Sequence, residues 1–216
     1  MTSGSSIHRL LLLTLVALSA PATAWSASPE SDADALIARL AKPAPATVAF
    51  TEVRFSRLLR EPLIVSGELG YTGANSLDRR VTTPYSEHTS IRGESVKVER
   101  DGEAPRSFAL KHAPELRGLL SGFSALLSGD AAALKKNFNV TLTGTADTWL
   151  LELRPTDAKA RRKLQEIEVT GRNDELRCFS MQTADGASSV LLLGETASEP
   201  VPKDVTLPNL LQRCQT

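Results

Sequence analysis

Few of the residues able to do chemistry stand where chemistry needs them. Outside the first 24 residues only His88 and His112 remain as imidazoles, and no cysteine or histidine spacing matches a metal site. Gly122-Phe123-Ser124-Ala125-Leu126 begins like the turn that presents a nucleophilic serine, but the final glycine is missing and the segment falls inside a helical pattern. Ser124 therefore reads as a helix residue. Glu52, Glu68 and Asp78 are candidates for paired carboxylates, yet acids alternating along a strand normally face water. No phosphate-cradling glycine loop and no CxxC pair occur, and Asn139-Val140-Thr141 matches a glycosylation sequon by chance. Catalysis is not expected, and no cofactor is implied.

Cys178 and Cys214 are the two cysteines of the chain. A bond between them would close a loop of about 35 residues and add roughly 3 to 4 kcal/mol on the chain-entropy model. Sequence separation says nothing about geometry, so bonded and free states are both open.

The amino terminus gives the compartment. Leu10 to Ala20 is an apolar run of eleven residues, preceded by His8 and Arg9 and followed by Pro21 and Ala22-Thr23-Ala24. Such a run is too short to cross ~30 Å of hydrocarbon, so residues 1–24 read as a signal peptide cleaved after Ala24. No cysteine stands near that cut to carry a lipid anchor. Removing 24 of 216 residues leaves 192, read as a single domain over residues 25–216, and a monomer is expected. Without Arg9 of the leader the Lys plus Arg total of 25 falls to 24 against 25 Asp plus Glu, a net charge near minus one, so nucleic acid is not an expected partner.

From Thr47 to Leu110 apolar and polar residues alternate between turn residues about every ten positions, the mark of antiparallel strands in sequence order. The segments are Phe50 to Ser56, Pro62 to Tyr71, Val81 to Pro84 and Ile91 to Val98, with a further strand ending at Phe108 to Leu110. A short amphipathic helix precedes them at Ser31 to Ala41, with Ala33, Leu36, Ile37 and Leu40 on one face. Pro114 opens the strongest helix, whose face carries Leu116, Leu119, Leu120, Phe123, Leu126 and Leu127. Gly129-Asp130 stops it and caps a second helix from Ala131 to Phe138. Strands return with Val140, Leu142 and Gly144, then Trp149, Leu151 and Leu153 up to Pro155. A basic helical turn over residues 158–165 comes next. The last strands hold Ile167 and Val169, then Leu176 and Cys178, then Ser188 to Leu193. Three prolines make the tail from Glu199 to Pro208 extended and irregular.

Strands, a helical insertion and more strands predict a mainly β fold with helices, in which one curved antiparallel sheet takes helices against its concave face. A closed lipocalin-like barrel would leave the mid-chain helix poorly explained.

The order of these motifs resembles the LolA-like family of periplasmic outer-membrane lipoprotein carriers. The resemblance runs from about Leu36 to Leu193 on Gly67-Glu68-Leu69-Gly70-Tyr71, Asn75 to Pro84, Asp101-Gly102, Leu151-Glu152-Leu153-Arg154-Pro155 and Asp185-Gly186. It implies a curved antiparallel half-barrel with a helical lid over an apolar cavity, and a soluble periplasmic carrier that shields acyl chains. Its ligand would be an acylated lipoprotein or another lipid, its partners an inner-membrane ABC-type extractor and an outer-membrane acceptor. Lipid-sensing regulators built on a similar half-barrel are the alternative. Two departures stand out. The family's lid-bonding arginine and its proline fall at Gly73 and Ala74, with Arg79 or Arg80 as substitutes. The lining is mostly aliphatic, with Met181 alone outside the leader and ten aromatics.

The expected ligand contacts on strands are Phe50, Val65, Leu69, Tyr71, Val81 and Ile91, with Val96, Val98, Trp149, Leu151 and Leu153. On the lid they are Leu116, Leu119, Leu120 and Phe123. Each also fits an ordinary packed core.

Overall fold

The computed structural model describes residues 29–73 and 75–215, with the side chains of all of them except 29–31 and 114–116. The expected signal peptide therefore lies outside the described residues, as does Ala74. Six strands follow a first helix, α1 (Pro29–Arg39): β1 (Ala46–Phe55), β2 (Leu63–Gly73), β3 (Ser76–Thr83), β4 (Glu87–Arg92), β5 (Ser95–Arg100) and β6 (Arg106–Ala109). A 3-10 turn at Leu110–His112 leads into α2 (Pro114–Ser128) and α3 (Ala131–Asn137). Five more strands complete the sheet: β7 (Phe138–Gly144), β8 (Trp149–Pro155), β9 (Leu164–Arg172), β10 (Glu175–Thr183) and β11 (Ser188–Leu193). Short helix α4 (Ala158–Arg161) links β8 to β9, and α5 (Glu195–Ser198) and α6 (Leu207–Gln215) end the chain.

All eleven strands belong to one antiparallel sheet ordered β6-β5-β4-β3-β2-β1-β11-β10-β9-β8-β7. Two meanders are joined where β1 pairs with β11, from Phe50 opposite Leu193 to Phe55 opposite Ser188. The sheet curves without closing, as expected. Its two edges are β6 and β7, and the helical insertion leaves one edge and returns at the other. That connectivity places α2 across the opening.

The alternation of the strands decides which side chains fill the concave face. Leu69 and Tyr71 on β2, Leu77 and Val81 on β3, and Trp149, Leu151 and Leu153 on β8 share one buried cluster with Leu36, Ile37 and Leu40 of α1 and with the stripe of α2. Gly129 ends α2 in the left-handed region at φ 68°, and the Asp130 carboxylate accepts from the Ala133 N–H at 2.8 Å to start α3.

Several boundaries differ from expectation for physical reasons. Ile91 to Val98 is not one strand but the hairpin β4–β5, with Arg92 opposite Ser95 across the two-residue loop Gly93-Glu94. Gly93 takes φ 57°, in the left-handed region that favours glycine. Ile91 and Val96 face each other on the buried side, and the shift from odd to even apolar positions marks the turn. The third strand begins at Ser76, five residues before Val81, and buried Leu77, Arg79 and Val81 alternate along it, with a charged residue at an inward position. The expected irregular tail holds over 199–206, but Leu207 and Pro208, its last two residues, open a helix that runs to Gln215. Pro208 is tolerated there because a first-turn residue has no intrahelical N–H bond to lose. Leu210 and Cys214, one turn apart, sit α6 against the convex face with Val53, Cys178, Val190 and Leu192. A disulfide joins Cys178 of β10 to Cys214 of α6.

Candidate functional site

The concave face gathers the expected contact residues. Phe50, Val65, Leu69, Tyr71, Val81, Ile91, Val96, Trp149, Leu151 and Leu153 are buried in the same cluster as Leu119, Leu120 and Phe123. Val98 packs against it half-buried, and the Leu116 side chain lies outside the described residues. The helix comes this close because two of its glycines have no side chain. A Cβ on Gly118 would stand 2.7 Å from Leu164, and one on Gly122 would stand 3.3 Å from Phe179. Phe123 meets Phe179 edge-on at 6.1 Å between ring centres. The apolar stripe of α2 thus fills the concave face itself.

Toward one end of that face the lining turns ionic. Arg79 of β3 donates to Glu52 of β1 at 2.6 Å and to Glu87 of β4 at 3.4 Å. Arg54 donates to Glu52 at 2.8 Å, and Arg100 of β5 pairs with Glu87. The Arg79 guanidinium also lies 5.0 Å from the centre of the Phe50 ring. Burial pushes the Glu52 carboxyl up, but the hydrogen bond and charge of Arg54, then those of Arg79, outweigh it and hold the group below the usual carboxylate range. Arg79 is therefore committed to the strand wall and does not bond the helix. Instead Arg117 of α2 pairs with Glu94 of the β4–β5 loop at 2.9 Å, and the Lys42 N–H donates to the Leu127 carbonyl at 2.8 Å.

The three acids considered for chemistry do not meet. Glu52 belongs to the network just described, Asp78 pairs with Arg92 at 2.6 Å and with His88 at 3.0 Å, and Glu68 is exposed. Ser124 is buried mid-helix, with no hydrogen-bond partner for its hydroxyl among the described residues. No cluster of three or more His, Cys, Asp or Glu suited to a metal occurs among the described residues.

A cleft of about 1050 Å³ opens beside α2 at the seam between the two sheet edges. The Leu110–His112 turn after β6, the end of α3 with Phe138 of β7, the β8–β9 link and the Gly93-Glu94 loop surround it. Its floor holds Leu110, Leu120, Phe138 and Leu164, all buried members of the main cluster. Lys111, Lys136, Lys159 and Lys163 stand around it with Arg117 and His112. Of the expected contacts among the described side chains only Leu120 lines this cleft. The lysines escape sequence reading because they come from three separate segments. The basic turn at 158–165 was the one visible signal.

The chain belongs to the family described as outer membrane lipoprotein carrier protein LolA-like, whose model matches residues 26–214. Solved structures similar to it include a LolA superfamily protein from Nitrosomonas europaea, 12% identical, covering 82% of this chain and 96% of that one with a TM-score of 0.43. A DUF1329 family protein from Desulfovibrio piger is 12% identical and covers 78% and 92% at a TM-score of 0.41. LprF from Mycobacterium bovis is 11% identical and covers 82% and 98% at 0.33. No curated protein matches the sequence. No helix among the described residues is long and apolar enough to cross a membrane.

Proposed function

We propose that residues 25–216, freed of a signal peptide, form a soluble periplasmic carrier that shields acyl chains of lipoproteins or another amphipathic lipid between the inner and outer membranes. The observation that carries this reading is the apolar stripe of α2 lying across the concave face, between the two sheet edges that its own chain connects. A ligand chain replaces that stripe, so binding exchanges helix–sheet contacts for lipid–sheet contacts.

The magnitudes make the exchange reversible. Moving an acyl chain of about fifteen methylenes out of water is worth roughly 12 kcal/mol at about 0.8 kcal/mol each. Exposing Leu119, Leu120, Phe123, Leu126 and Leu127 costs roughly 7 to 15 kcal/mol at about 1.5 to 3 kcal/mol per side chain. The near balance suits a protein that must accept a lipid and later release it. An extractor in the inner membrane and an acceptor in the outer membrane would supply direction, since the chain has no nucleotide-binding loop.

Native mass spectrometry of the protein isolated from the periplasm tests this, together with titration of a fluorescent fatty-acyl probe. Bound lipid in the first and saturable binding in the second are expected. An empty protein that ignores the probe overturns the reading.

A further inference from the structure

The seam cleft is cationic beyond what the composition requires. The chain carries 25 basic and 25 acidic residues, yet Lys111, Lys136, Lys159 and Lys163 gather around one opening with Arg117 and His112. The acids of the lining are already engaged. Glu94 pairs with Arg117 at 2.9 Å, and Asp157 accepts from the backbone N–H groups of Lys159 and Ala160 at 2.9 and 2.8 Å. Asp157 feels the charge of Lys159, and Asp185 that of Lys163, but none of the four lysines forms an ion pair among the described residues. The arginines of the concave wall differ, since Arg54, Arg79 and Arg100 are each paired with an acid. Like charges that outnumber the acids beside them repel one another, and an incoming anion relieves that repulsion.

Beneath these cations the floor is apolar. Leu120 of α2 and Leu164 of β9 are 3% exposed and continue into the main cluster. An apolar floor under a cationic rim fits an amphiphile whose head is anionic. Several lysines, each a point charge on a flexible stem, suit an anion that offers many oxygens in adaptable positions. We propose that this cleft is the head-group site for an amphiphile whose phosphate head carries net negative charge and whose chain runs past Leu120 and Leu164 toward the concave face. The proposal rests on the carrier reading above and adds the charge class of the ligand.

The test uses the full chain and two single-chain probes of equal acyl length, lysophosphatidic acid and lysophosphatidylcholine, below their micelle concentrations, with inorganic phosphate as a third arm. The wild type binds the anionic probe about tenfold more tightly than the zwitterionic one, the effect of two or three partly screened charge contacts. Lys136→Glu with Lys159→Glu, both exposed positions, brings the two affinities within about twofold, chiefly by weakening lysophosphatidic acid. Lys203→Glu, exposed and outside the cleft, keeps the preference. Equal affinities in the wild type, or a preference that survives the double reversal, overturn the head-group site while leaving the carrier reading in place. Binding of inorganic phosphate with neither lipid bound overturns both, and assigns the lysines to a free anion.

Discussion

Arg79 and Glu52 stand 27 positions apart in sequence and meet at 2.6 Å across the intervening strand β2, both almost fully buried. Glu87 shares the same arginine, so one cation holds two acids inside the wall of the half-barrel. Removing it by Arg79→Met leaves Glu52 with Arg54 and Glu87 with Arg100 and should cost about 1.5 to 3 kcal/mol, the charged hydrogen bonds lost. The pH dependence gives the signature. In the wild type Glu52 has a folded pKa below its unfolded value, so its stabilisation is present above the unfolded value and is lost as pH falls through the folded one. Without Arg79 only Arg54 opposes burial at Glu52, so its pKa rises from the wild-type value, and the deficit of the variant shrinks as the solution is acidified from neutrality. Urea denaturation at a series of pH values measures it. A deficit independent of pH would show that the arginine acts only by packing on Phe50.

Glu168 presents the opposite case. It lies opposite Glu152 on β8, and burial, then Glu166 and Glu152, raise its pKa. A raised carboxylate destabilises the fold above its folded pKa and contributes no such cost below the unfolded value, where it is protonated in both states. Glu168→Gln should therefore stabilise the protein at neutral pH by roughly a few tenths of a kcal/mol, since the group is half exposed and screened. The gain should vanish in acid. Thermal melts at neutral and acid pH show whether it does.

The Cys178–Cys214 bond ties α6 to β10 over a sequence separation of 36. Replacing both cysteines by alanine should cost about 3 to 4 kcal/mol on the chain-entropy account. Since α6 packs on the convex face, probe binding at the concave face should survive in whatever fraction stays folded. Hydrogen exchange should show lost protection in residues 207–215 ahead of the sheet. Uniform loss across both faces would mean that α6 is integral to the main core.

How much of this the sequence carried depended on the range of the interaction. The stripe of α2 and its caps are local, and Leu119, Phe123, Gly129 and Asp130 announce them. The half-barrel followed from the order of strands and turns. Arg79 is expected as a substitute for the lid-bonding arginine, because its partners, Glu52 and Glu87, lie on other strands and only the register of the sheet brings them to it. The α6 helix hid behind Pro208, whose first-turn position cannot be read before the start of the helix is known. The cleft was least legible. Its lysines come from the Leu110–His112 turn, α3 and the β8–β9 link, and only the closing of those segments around the seam brings them together.

Phe123 is where stability and ligand uptake should part. Its ring is 2% exposed and packs edge-on against Phe179, so Phe123→Ala should cost about 3 to 5 kcal/mol of folding stability. In an ordinary core that would be the whole effect, and binding would fall with the folded fraction. If α2 competes with the ligand for the concave face, the same substitution weakens the competitor. The ligand-accessible state then gains population, and the apparent Kd for a fatty-acyl probe falls although the melting temperature drops. Truncation also removes a wall atom set that the chain could touch, which limits the gain to a fraction of the stability lost. A milder partner variant, Phe123→Leu, keeps most of the apolar volume and should shift both quantities in the same directions by smaller amounts. Calorimetry beside probe titration at a temperature where both variants remain folded reads the two effects separately. A lower melting temperature with tighter binding supports displacement of α2 by the ligand. Weaker binding in both folded variants makes Phe123 part of the wall that the lipid touches and leaves another segment to act as the lid.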